Sequence, residues 1–81
     1  MRIDVLFFAA AREKAGTERT TFDVPPGATV ADVWRRLGET NAALAAVLPS
    51  CRAAVDESFA PPSAALRDGA VVAVLPPVSG G

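Results

Sequence analysis

No histidine and no tyrosine occur in this chain of 81 residues. Without histidine there is no Ser-His or Cys-His nucleophile pair and no His-based zinc site. A self-sufficient hydrolase is therefore not expected. One cysteine, Cys51, rules out an intramolecular disulfide. Reactive thiols need an electropositive setting, and only Arg52 stands beside it, so Cys51 reads as a small strand hydrophobe. The acids offer no catalytic pair either: Asp56 and Glu57 are adjacent, and neighbours on an extended chain point to opposite sides. No apolar run approaches the ~20 residues that span a bilayer. An acid at Asp4, just before the first apolar stretch, does not suit a signal peptide. The eight Lys and Arg residues are dispersed and the formal net charge is −1, so no basic stripe marks a nucleic-acid binder. A soluble, cytoplasmic chain with no bound metal is the expectation.

What is present suffices for one small domain. Half of the residues are hydrophobic (51%), enough for a core without a metal or disulfide, although a chain this short buries only about 60% of its unfolded surface. Ile3, Val5 and Phe7 alternate with Arg2, Asp4 and Leu6, which predicts a strand with one strongly apolar face. Ala9 to Ala15 is helix-prone and Gly16 suits its stop. Thr17 to Val24 reads as a second strand, antiparallel to the first, closed by Pro25-Pro26-Gly27.

Thr29 and Asp32 have the spacing of a capping box. Val30, Val33, Trp34 and Leu37 then form one face of an amphipathic helix, with Arg35, Arg36 and Glu39 opposite. Gly38 is expected to end or weaken this helix, and Asn41 to cap a second segment, Ala42 to Leu48, closed by Pro49. One longer helix broken near Gly38 is the alternative. Cys51 to Val55 is a short strand, and Asp56 to Ser63 reads as loop. After the turn signal Arg67-Asp68-Gly69, the run Ala70 to Leu75 has the composition of a central strand buried on both faces. Pro76-Pro77 cannot extend a sheet. The expected order is strand, strand, helix, strand, short strand, strand: an α+β roll with a mixed sheet packed on one main helix. Residues 1–75 form the domain, and 76–81 form a flexible functional tail.

That tail reads Pro76-Pro77-Val78-Ser79-Gly80-Gly81. Two glycines contribute nothing to packing and carry the largest entropy cost of ordering, but they provide a slim backbone that passes a narrow channel. Six extended residues reach ~20 Å, and the prolines lower the ordering cost of insertion.

The tail, the opening Val5-Leu6-Phe7-Phe8-Ala9 with Arg12-Glu13 and Gly16-Thr17, and Leu66-Arg67-Asp68-Gly69 before the last strand together resemble the ubiquitin-like β-grasp sulfur carriers of the MoaD/ThiS family. Pro-Pro-Val-Ser-Gly-Gly lies on the MoaD side of that family, the molybdopterin synthase small subunits. The resemblance implies a carrier that is not an enzyme by itself. The Gly81 carboxylate would be adenylated by a ubiquitin-activating-like, MoeB-like partner that uses ATP. A sulfur donor such as a cysteine desulfurase or rhodanese would convert it to a thiocarboxylate. Pro76, Pro77, Val78, Ser79 and Gly80 would enter a MoaE-like large subunit, where the sulfur passes to a cyclic pterin precursor. Phe7, Leu66, Leu75 and Arg12 are the candidate interface residues, and no stably bound cofactor, nucleic acid or membrane is implied. Two readings stay beside it: a ThiS-like carrier feeding thiazole, cysteine or transfer-RNA thiolation, and a ubiquitin-like binding module or protein modifier.

Overall fold

A computed structural model describes residues 1–77. Val78, Ser79, Gly80 and Gly81, expected to form the end of the functional tail, lie outside the described residues. The elements are β1 (Arg2–Phe7), α1 (Ala9–Ala15), β2 (Arg19–Asp23), α2 (Val30–Thr40), α3 (Ala42–Val47), a 3-10 turn (Leu48–Ser50), β3 (Arg52–Val55), β4 (Ser58–Ala60) and β5 (Val71–Leu75). They build one mixed sheet in the order β2-β1-β5-β3-β4. β1 and β5 run parallel at its centre, and every other pairing is antiparallel.

The alternation in β1 sets the layering. Ile3, Val5 and Phe7 turn inward and meet Val72 and Val74 of β5 and Val33 and Leu37 of α2; all are buried. Ile3, Val5, Val33, Val72 and Val74 are fully enclosed. β5 is central, as its composition predicts, but it is not buried on both faces. Val71, Ala73 and Leu75 are only half-buried, because every helix packs on the same side of the sheet as Ile3 and Val5. A continuous apolar run fits a central strand whether one or both faces are covered; helix placement decides which.

Local chemistry explains the helix ends. The Thr29 hydroxyl accepts from the Asp32 amide, and the Asp32 carboxylate accepts from the Thr29 amide at 2.9 Å, completing the capping box. Gly38 does not end α2, which runs on to Thr40. A Cβ at Gly38 would stand 3.3 Å from the Ala45 Cβ, so the glycine lets α3 lie close against α2. The break comes at Asn41, whose side-chain oxygen accepts from the Leu44 amide while its amide group donates to the Lys14 carbonyl at 2.9 Å. One side chain thus caps α3 and ties it to α1. Asn41→Ala is expected to cost about 1 kcal/mol, read as a lower urea midpoint with an unchanged slope.

The stretch Asp56 to Ser63, expected as loop, contains β4. Asp56 and Glu57 both have positive φ (48° and 73°), the geometry of a two-residue hairpin turn. Val55 and Ser58 close it as a pair. Asp-Glu lacks the Asn-Gly signature that would mark such a turn, so it is held by tertiary contacts: the Asp56 carboxylate accepts from the Val71 amide at 3.0 Å and from Arg67 at 3.4 Å. No helix among the described residues is long and apolar enough to cross a membrane.

Candidate functional site: the end of the central strand and the open sheet face

β5 is held on one side by β1 as far as Val74 and on the other by β3 as far as Leu75, which pairs with Arg52. Pro76 and Pro77 follow with no strand pairing. The tail therefore leaves from the middle of the sheet, the most firmly paired place in the fold. Beside that exit the chain turns from β1 into α1. The Phe8 amide donates to the Val74 carbonyl at 3.3 Å, and Ala9 takes φ +50°, a conformation that costs a non-glycine residue about 1 kcal/mol or more. The turn ends the alternation and leaves Phe8 46% exposed.

The expected interface residues do not gather as one patch. Phe7 is adjacent to the exit, but its side chain lies in the core, 4% exposed. Leu66 is also core, and it precedes the opposite end of β5, where the Gly69 amide donates to the Arg2 carbonyl. Five strand residues, roughly 16 Å, separate it from the exit. Both were expected at a surface because they are apolar and lie in or near the two adjacent central strands; the inward parity of β1 puts Phe7 in the core, and Leu66, whose amide donates to the Ala28 carbonyl at 2.9 Å, joins the same buried cluster. Leu75 is half-buried beside the exit. Arg12 is exposed and pairs loosely with Glu18 at 3.5 Å.

What the structure brings together instead is a row across the uncovered face. Leu6 pairs with Ala73, Ala73 with Ala54, and Ala54 with Phe59. Paired residues share a face, so these four form an apolar row through four strands, one pair back from Leu75. Phe59 is 71% exposed, and the Arg52 guanidinium lies over its ring, 5.5 Å from the centroid. The parity of β1 marks Leu6 as outward, but Phe59 joins the row only through the hairpin that the sequence does not signal.

Polar groups border this row. Asp4 accepts from the Thr21 hydroxyl at 2.7 Å and from Arg19 at 2.8 Å. The Thr21 hydrogen bond first, and Arg19 second, hold its carboxyl below the usual carboxylate range. Since the folded pKa is lowered, the stabilisation from these contacts is present above the ordinary carboxylate value near 3.9 and is lost as pH falls through the folded value. The stability gap between the native chain and Asp4→Asn should therefore be larger at neutral pH than at pH ~3, as urea midpoints at the two pH values would read. Asp32 is shifted the same way, chiefly by the Thr29 amide.

Cys51 is half-buried, its thiol directed to the Val47 carbonyl at 3.2 Å, and burial pushes its pKa up. That is the inert setting expected of it. Trp34, expected in the helix core, is half-buried with its indole N–H on the Leu48 carbonyl at 3.1 Å. Among the described residues no group of three or more His, Cys, Asp or Glu side chains could hold a metal ion.

Comparison with known proteins agrees with this geometry. The sequence model of the ThiS family matches residues 5–81. A Chlamydomonas reinhardtii protein named molybdopterin synthase sulfur carrier subunit is 39% identical, the alignment covering all of both chains. A Drosophila ananassae protein of the same name is 36% identical over all of this chain and 92% of its own. Among solved structures, SAMP1, small archaeal modifier protein 1 of Haloferax volcanii, superposes with a TM-score of 0.88 at 28% identity over the full length of both chains. The fold is the ubiquitin-like β-grasp.

Proposed function

The chain belongs to the ThiS family, and on that premise we propose that it is the sulfur carrier subunit of a molybdopterin synthase, a carrier and not itself the enzyme. The observation that carries this reading is the 39% identity, end to end, to a protein of that name. The physics of the chain suits the role: the described body presents no catalytic constellation, and the strand that leads to the tail is anchored at the sheet's centre.

The functional group is the carboxylate of Gly81. A carboxylate is a poor electrophile, so an activating partner first transfers AMP from ATP to one carboxylate oxygen, with release of pyrophosphate. The outer sulfur of a donor-protein persulfide then adds to the acyl carbon and expels AMP, and a second thiol attacks the donor's inner sulfur in the resulting acyl disulfide, forming a disulfide with the donor and releasing the thiocarboxylate. Pro76 to Gly80 carry that group into the large subunit, where the sulfur passes to a cyclic pterin precursor. Phe8, Leu75 and the row Leu6, Ala73, Ala54 and Phe59 form the surface on which the large subunit docks. All of this chemistry takes place in the cytoplasm.

The test is the intact mass of the chain after incubation with the activating enzyme, ATP and a sulfur donor. Replacement of one oxygen by one sulfur is expected. An unchanged mass, with enzymes that load a known carrier in the same tube, would sink the proposal.

A second reading, a protein modifier, has one observation in its favour: the likeness to SAMP1. Its signature would be this chain joined through an isopeptide bond to lysines of other proteins, seen by peptide mass spectrometry of cell extracts.

A further inference from the structure

Around the β3–β4 edge from the open sheet face, a groove of about 720 Å³ lies between α2, the 3-10 turn and that edge, and Arg52 and Phe59 of the open face also line it. Its volume falls within the ~300–1,000 Å³ of small-molecule sites. The groove is open because short side chains stand where larger ones would fill it: Ala31 on α2, Ala53 on β3 and Ala60 on β4. Pro49 and Pro61 stiffen its rim. Trp34 lines it with an indole already fixed by the Leu48 carbonyl, so the aromatic wall is preformed and little entropy remains to be lost on binding.

Arg52 is the one charged residue on its lining. The other arginines have acceptors. Arg2, Arg12, Arg19, Arg35 and Arg67 each pair with a carboxylate, and Arg36 donates to the Asp23 carbonyl. Arg52 has no acceptor among the described residues; its guanidinium meets only the face of Phe59. A guanidinium carries five N–H donors in a planar fork that matches a carboxylate, sulfonate or phosphate. An anion that carries an apolar body would match both the apolar lining and its one cation.

We propose that this groove binds a small amphipathic anion, with its aromatic or branched apolar part against Trp34, Pro49 and Pro61 and its anionic head at Arg52. The site is separate from the tail chemistry and does not depend on it: a chain that cannot be loaded with sulfur would still bind, and a failure to bind would leave the carrier reading untouched.

The test uses two probes of the same ring system, anilinonaphthalene sulfonate and uncharged N-phenylnaphthylamine. The chain has one tryptophan and no tyrosine, so intrinsic emission reports on Trp34 alone. Both probes should quench Trp34, and the sulfonate should bind more tightly. Arg52→Gln should abolish that preference by weakening the sulfonate roughly threefold, the effect of one exposed ion pair, with the neutral probe unchanged. Ala60→Phe should fill the groove and weaken both probes, with the fold checked by circular dichroism. Equal affinities in the native chain, a sulfonate preference that survives Arg52→Gln, or perturbed amide resonances at Leu6, Ala73 and Ala54 instead of Ala31, Ala53 and Ala60 would overturn the proposal. So would several-fold tighter binding in a chain lacking residues 78–81, because the chain's own tail would then be the occupant.

Discussion

A chain that lacks Gly81, or that carries one extra residue after it, is expected to lose sulfur loading while its fold stays intact. Deleting Gly81 leaves a glycine carboxylate still, that of Gly80, so the chemical group survives and only its position changes. One extended residue is about 3.5 Å. Reacting groups must meet within a near-attack distance, and a displacement of only 1 Å can cost about 100-fold in rate. Both variants should therefore fall at least that far in thiocarboxylate formation, measured by intact mass over a time course. Stability should move by no more than roughly 0.5 kcal/mol, because the buried core of the described chain runs from Ile3 to Val74. Sulfur incorporation at the native rate in either variant would show that the reacting group is not the Gly81 carboxylate.

The second large effect distinguishes the two faces of the sheet. Ile3→Ala should cost about 2–5 kcal/mol, since Ile3 is fully enclosed in the core. At roughly 0.05–0.15 kcal/mol per residue the whole domain has only about 4–12 kcal/mol to lose, so this one change approaches the unfolding limit. Leu6→Ala, three positions along the same strand on the uncovered face, should cost less than about 1 kcal/mol. It should instead weaken co-purification with the large subunit, because Leu6 opens the apolar row that ends at Phe59. Denaturant midpoints for the two variants, with binding measured on the same samples, check both halves. If Leu6→Ala destabilises the fold as much as Ile3→Ala, the outer face is packed and is not a free docking surface.

Several elements were legible because each rests on interactions a few residues long. β1 follows from its alternation, α1 ends at Gly16 in the left-handed conformation (φ 75°), and Thr29 with Asp32 starts α2. Asn41 was legible as a cap, but its reach to Lys14 was not, because nothing local connects residues so far apart. Gly38 was misread for a related reason. Helix propensity alone makes it a weak point, whereas the close approach of Ala45 makes it the residue that allows α2 and α3 to pack.

The interface shows the same division. Apolar character nominated Phe7 and Leu66, and both proved to be core. Phe8 and Phe59 are the exposed aromatics. Phe8 depends on the positive φ at Ala9, and Phe59 depends on a hairpin whose first turn residue, Asp56, is held in place by Val71 and Arg67 from a distant segment. No pattern of hydrophobicity encodes either.

By itself, then, the sequence determined the local periods, the helix caps, the proline stop after Leu75, the absence of histidine chemistry and the family to which the Pro-Pro-Val-Ser-Gly-Gly ending points. These depend on residue type and on spacing of a few positions. Only the tertiary structure decided that all the helices cover one face of the sheet, that Leu6, Ala73, Ala54 and Phe59 line up across four strands, and that Arg52 stands without an acceptor at the edge of a groove kept open by alanines. Those features arise where segments far apart in the chain meet, and short-range sequence pattern carries no record of which segments do.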